Sequence, residues 1–177
     1  MKQTFHKNAA KTADRIGGAV NRVVERTCAA LIAAMVVIVW LGVVSRYLIE
    51  LGVTWNEELA RYVMIWAALL AVSAGVYRRE HIGLELFYHM LPSRAAAALR
   101  LSLDAIGFGF FGFLVYYGVG MTVDGMEQFA TIFGMTMVVP FAAVPVSAGL
   151  AAFQILLATV RDTAGGRARA PAEIGVS

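Results

Sequence analysis

Charge is the scarcest commodity in this chain. Only 15% of its 177 residues are charged, 59% are hydrophobic, and the mean hydropathy is +0.69. A water-soluble domain carries about 25% charged residues, so a soluble globular protein is excluded. Cysteine is nearly absent too. Cys28 stands alone, which excludes an internal disulfide and a cysteine-bound metal cluster and leaves a small apolar residue. The few charges are also bunched, for none falls in 27–45, 62–77, 105–123 or 128–160.

These gaps have the length of membrane spans. A hydrocarbon core about 30 Å thick needs about 20 apolar residues at 1.5 Å each. The second run is lengthened by Leu59, Ala60 and a snorkelling Arg61. The last is too long for one span and holds Pro140 and Pro145, so its helix is placed at about 140–160. Backbone groups in lipid must bond within their own segment, which makes helices of all four runs. The expected fold is an all-α integral membrane domain, 27–160, with spans at about 27–47, 57–77, 100–123 and 140–160. A cytoplasmic amphipathic segment, 1–26, precedes it and a disordered cytoplasmic tail, 161–177, follows.

Orientation comes from lysine and arginine. All of the 15 except Arg46 and Arg61 fall before the first span, between the second and third, or after the fourth. By the positive-inside rule that side is cytoplasmic, with both termini inside. The net charge of +3 is therefore a topology signal, and no nucleic-acid partner is expected. Within 9–26, Ala13, Ile16, Val20, Val23 and Val24 recur at helical spacing. Lys11, Arg15, Arg22 and Arg26 gather on another face, as in a helix lying on anionic membrane lipids. Asp14 and Glu25 argue against a mitochondrial presequence, and the first apolar run is too long for a cleaved signal.

The link between spans two and three has the same character. Ile82, Leu86, Phe87, Met90 and Leu91 share one helical face, and His81, Glu85, Tyr88 and His89 the other, giving a second interfacial helix. Pro92 stops it and Ser93 is the expected N-cap of the third span. His81 and His89 raise a haem anchor for a redox enzyme as one reading. Haem in a bundle needs ligands at membrane depth, however, and a surface link does not provide them. No cofactor, metal or catalytic site is expected.

Three sets of residues stand out in the spans. Asp104 lies about one turn inside the third, where an ionisable group is a functional candidate by default. Arg100, one turn earlier, offers it an interfacial pair at i,i+4. Ala105, Gly109 and Gly112 form a small-residue strip for helix packing, within the bundle or against a partner. The stretch from Thr122 to Val139 is read as an outer link lying on or partly in the membrane. Pro140 suits the first turn of the fourth helix, and Pro145 sits at a possible kink.

The most specific feature is Thr54-Trp55-Asn56-Glu57-Glu58-Leu59-Ala60-Arg61-Tyr62, opening the second span on the outer side. Thr54 and Glu57 have capping-box spacing, and two first-turn carboxylates complement the helix dipole. Glu57 and Glu58 both reach Arg61 along the helix, while Trp55 and Tyr62 suit the headgroup belt. A well-anchored helix start accounts for all of this. An outward docking or charge cluster that adds Arg46 is compatible with it.

From about Arg22 to Val160 the sequence resembles the small membrane subunit, DctQ type, of tripartite ATP-independent periplasmic (TRAP) transporters. The matching residues are Arg46, then Trp55, Glu57, Glu58 and Arg61, then Arg78, His81 and Ile82, and finally Pro140 and Pro145. The Met-rich approach to Pro140 departs from the family, where an aromatic residue is common. The resemblance implies a small scaffold subunit of the bacterial inner membrane with no catalytic or transport site of its own. Its partners would be a large multi-span transporter subunit and a periplasmic substrate-binding protein, and its cargo an organic acid taken up with an ion. Arg46, Trp55, Glu57, Glu58 and Arg61 are then the expected partner interface or structural cluster. An autonomous four-span transporter working as a homodimer, with Asp104 essential, is the alternative.

Overall fold

The computed structural model describes residues 2–48, 55–78, 92–130, 134 and 136–164. Four helices dominate: α1 (Lys2–Tyr47), α2 (Trp55–Arg78), α3 (Ser93–Asp124) and α4 (Val138–Ala164). Each contains a stretch long and apolar enough to cross a membrane. The link between α2 and α3, with His81, His89 and its expected helix, lies outside the described residues, as do Thr54 and the tail from 165 onward.

The helices run up and down. Gly42 of α1 meets Asn56 at the start of α2, while Glu25 bonds Arg78 at its end. Gly118 of α3 meets Pro145 early in α4, and Asp104 accepts a hydrogen bond from Thr159 late in it. Residue 14 near the start of the chain and residue 161 near the end of α4 are joined by an ion pair. Both therefore lie at one end of the bundle.

α1 is longer than any single span requires. The expected N-terminal segment and first span form one unbroken helix of 46 residues, about 69 Å at 1.5 Å per residue and over twice the hydrocarbon thickness. Its face toward the bundle takes in two residues of the expected apolar stripe, Ala13 and Val24. Ala13, Gly17, Asn21, Val24 and Cys28 turn inward, whereas Ile16 and Val23 are exposed. Small residues set this face because they let helices approach. At Gly17 an added Cβ would sit 2.5 Å from the Tyr77 ring.

α4 is the hub, packing on α1, α2 and α3, while α1 also packs on α2. Its inward face is built from Ala143, Ser147, Ala148, Ala151, Gln154, Ile155 and Ala158, all buried. Pro140 occupies its first turn, and Pro145 lies inside the continuous helix. Ring and backbone of Pro145 come within 3.1–3.3 Å of where a Cβ on Gly118 would be, so glycine permits close contact of α3 and α4. α3 begins at Ser93 itself. Pro92 takes the capping position at φ −61°, ψ 148°, since its ring already holds the φ that extended backbone needs. Between α3 and α4 a short antiparallel bridge pairs Phe129 with Thr136. Gly134 takes a left-handed φ of +58° there, which glycine adopts at little cost.

Candidate functional site

At one end of the bundle α1 finishes with Arg46 in its last turn and α2 opens with Trp55, Glu57 and Glu58. Arg46, Trp55, Glu57 and Arg61 are exposed and Glu58 is half-buried. The Tyr62 hydroxyl donates to Glu58 Oε1 at 2.7 Å and lies 3.7 Å from Met137 Sδ. One turn on, Trp66 Nε1 donates to the Val139 carbonyl at 3.1 Å. The opening of α2 is thereby tied to the start of α4. The tyrosine, four residues on, thus takes one oxygen of the Glu58 carboxylate. Asn56, in the same motif, is buried with its Nδ2 about where α1 approaches at Gly42.

The opposite end carries a second set of polar contacts. Arg78 Nε donates to Glu25 Oε1 at 2.8 Å, and Asn21 Nδ2 donates to the same oxygen at 2.7 Å. Tyr77 donates its hydroxyl to the Asp14 carbonyl at 3.3 Å. Arg161 lies over the Tyr77 ring, 5.4 Å from its centroid, and 3.6 Å from the Asp14 carboxylate. Its Nε also meets Asp162 at 3.1 Å. Three helix segments are clasped here by charge and by one aromatic ring.

Between the ends the buried polar groups are neutral. Gln154 and Ser73 are both fully buried, and Gln154 Nε2 donates to Ser73 Oγ across α4 and α2 at 3.4 Å. Ser147 returns its hydroxyl to the Ala143 carbonyl at 2.6 Å. Cys28 lies 3.7 Å from the Ala67 carbonyl. Asp104 is half-buried toward the Thr159 end, where the Thr159 hydroxyl donates to it at 2.8 Å. Ala105, Gly109 and Gly112 face away from the bundle, and a Cβ on either glycine would meet nothing within 4 Å. Gly107 and Gly118 are the α3 glycines that touch α4. Among the described residues no group of three or more metal-binding side chains converges.

Residues 35–165 match the family model described as the DctQ component of tripartite ATP-independent periplasmic transporters. The chain belongs to that family. The DctQ-matched segment takes in all of α2, α3 and α4 and the last part of α1. Among relatives, the chain is 28% identical over 85 residues to the sialic acid TRAP transporter small permease protein SiaQ of Vibrio cholerae, covering 48% of this chain and 49% of that one. It is 29% identical over 80 residues to the C4-dicarboxylate TRAP transporter small permease protein DctQ of the same organism, covering 45% and 34%. It is 22% identical over 153 residues to the sialic acid TRAP transporter permease protein SiaT of Haemophilus influenzae, covering 86% and 25%. The chain thus spans half or less of the length of these relatives.

Sequence reasoning about this DctQ-family chain passed over several of the residues that hold it together. Gln154 carried a signal, since an amide in an otherwise apolar span is costly unless bonded, and its Nε2 reaches Ser73. The contact between Tyr77 and Asp14 carried none, because it uses a backbone carbonyl.

Proposed function

We propose that this chain is the small scaffold subunit of a binding-protein-dependent, ion-coupled importer of organic acids. It sits in the bacterial inner membrane with both termini in the cytoplasm, so that the Arg78 end of the bundle is inside and the Trp55 end outside. The observation that carries this reading is the character of the bundle's interior. Its hub helix buries Ala143, Ala148, Ala151, Ala158 and Ser147, and the Nε2 of its fully buried Gln154 donates to a neighbouring helix's hydroxyl, while Oε1 has no partner. A coupled transporter needs ionisable or broken-helix elements near the midplane to bind and release its cargo. Here α2 and α4 run unbroken through that depth.

The family and its relatives' names supply the rest. A large multi-span subunit would hold the substrate and ion sites, and a periplasmic binding protein would deliver the acid. Relatives named for sialic acid and C4-dicarboxylate transport make a carboxylate-bearing cargo the natural class. The similarity of most of this chain to a quarter of the longer permease SiaT fits a fixed, stoichiometric association of small and large subunits. Arg46, Trp55, Glu57, Glu58 and Arg61 present charge and an aromatic edge on the outer face, suited to a partner.

Purification of the tagged chain from its native membranes tests this. A large multi-span protein is expected to accompany it in constant ratio, and deletion of this chain is expected to abolish uptake of the acid. Recovery of the chain alone, with uptake intact in the deletion strain, would refute the reading.

A further inference from the structure

A cleft of about 340 Å³ lies between α1 and α2. Its α1 wall is Glu25, Cys28, Ala29 and Ile32, and its α2 wall is Ala71, Ala74, Gly75 and Arg78. Both walls have the same i, i+3, i+4, i+7 spacing, so each is a single helical stripe about 10 Å long. Both also end in charge at the same end of the bundle. The remaining lining is apolar and, Ile32 apart, small, and a Cβ on Gly75 would meet nothing within 4 Å. The α1 wall precedes residue 35, where the family match begins, so the cleft is not built from that matched segment alone.

We propose that this cleft binds one phospholipid with a zwitterionic, amine-bearing headgroup, its acyl chain along the alanine–glycine seam and its headgroup at Glu25 and Arg78. The polarity fits a membrane, with charge at the boundary and the apolar seam running inward. The mouth carries both signs of charge, which suits a headgroup that also carries both. Arg78 is 53% exposed and Glu25 33% exposed. Asn21 and Arg78 both donate to Glu25 Oε1, and Oε2 is the acceptor offered to an ammonium. Arg22, exposed one turn before Glu25 on the same stripe, adds positive charge for the phosphate. A headgroup with negative charge only would place its phosphate beside the Glu25 carboxylate without an ammonium to offset it.

The test is native mass spectrometry of the full-length chain, in its assembly, after exchange into bilayer discs of equal parts phosphatidylethanolamine and phosphatidylglycerol. One tightly held phosphatidylethanolamine per chain is expected. Gly75→Leu fills the seam with a better helix former and is expected to lower occupancy about tenfold, equivalent to one decade in affinity. Gly75→Ala serves as the control for folding and keeps most of the lipid. Glu25→Gln, which removes the carboxylate from the mouth of the cleft, is expected to keep a lipid but lose the preference between the two headgroups. Full occupancy in Gly75→Leu, or equal retention of both lipids by the wild type, would overturn the proposal. So would a lipid-free wild type in which Gly75→Leu instead releases a membrane protein partner.

Discussion

A Cβ on Gly118 would lie 3.1 Å from Cδ of Pro145 and 3.2 Å from its nitrogen, atoms of a ring and a backbone with little room to give. Gly118→Val should therefore push α3 off α4 and cost about 1–3 kcal/mol, as overpacking does. A lower Tm in detergent checks it. Gly109→Ala on the same helix meets open space and should leave the Tm unchanged or raise it, since alanine favours helix by about 1 kcal/mol over glycine. Gln154 and Ser73 make a second residue-level case. Their interhelical bond should show a coupling of about 0.6 kcal/mol, typical of such bonds in membranes. A double-mutant cycle of Gln154→Leu and Ser73→Ala in a reversible unfolding assay measures it, and no coupling would mean that the contact is incidental.

The elements depend on these residues unequally. α1 is held along its first half by Gly17 against the Tyr77 ring, by the Tyr77 bond to the Asp14 carbonyl and by ion pairs to α2 and α4. The Asp14 side chain is 61% exposed, so Asp14→Asn should change stability by less than about 1 kcal/mol, and added salt should shrink the effect. Gly17→Val should matter far more, because the ring must leave its seat. Faster proteolysis within residues 10–26 reports that loss. The four apolar helices were legible in the sequence because lipid imposes a minimum length on every charge-free run. Which face of α1 meets the bundle was not legible: the apolar stripe was read for contact with lipid, whereas between membrane helices small residues such as Gly17 decide which face is buried. The motif at the start of α2 was legible as a helix opening. The bond from Tyr62, which reaches the Glu58 carboxylate from four residues on, was not, because Tyr62 was read only as a headgroup-belt aromatic.

At the scale of the whole molecule, the bundle has a small-residue interior, polar clasps at its two ends and a largely exposed α3. The exposed aromatics of α3, Phe108, Phe110, Phe113, Tyr116 and Tyr117, need a covering of lipid or protein to be stable. If Glu57 and Arg61 serve the outer partner surface, Glu57→Gln and Arg61→Gln should reduce uptake several-fold while leaving the stability of the isolated chain within about 0.5 kcal/mol of wild type, as surface substitutions do. An equal loss of stability would mark them as structural instead. The central claim is that this chain supports transport without performing it. It is tested most directly by reconstituting the chain alone and, in parallel, the complete complex with its binding protein, and measuring acid uptake under an ion gradient. Uptake by the complex and none by the chain alone is expected. Uptake by the chain alone, abolished by Asp104→Asn, would contradict it.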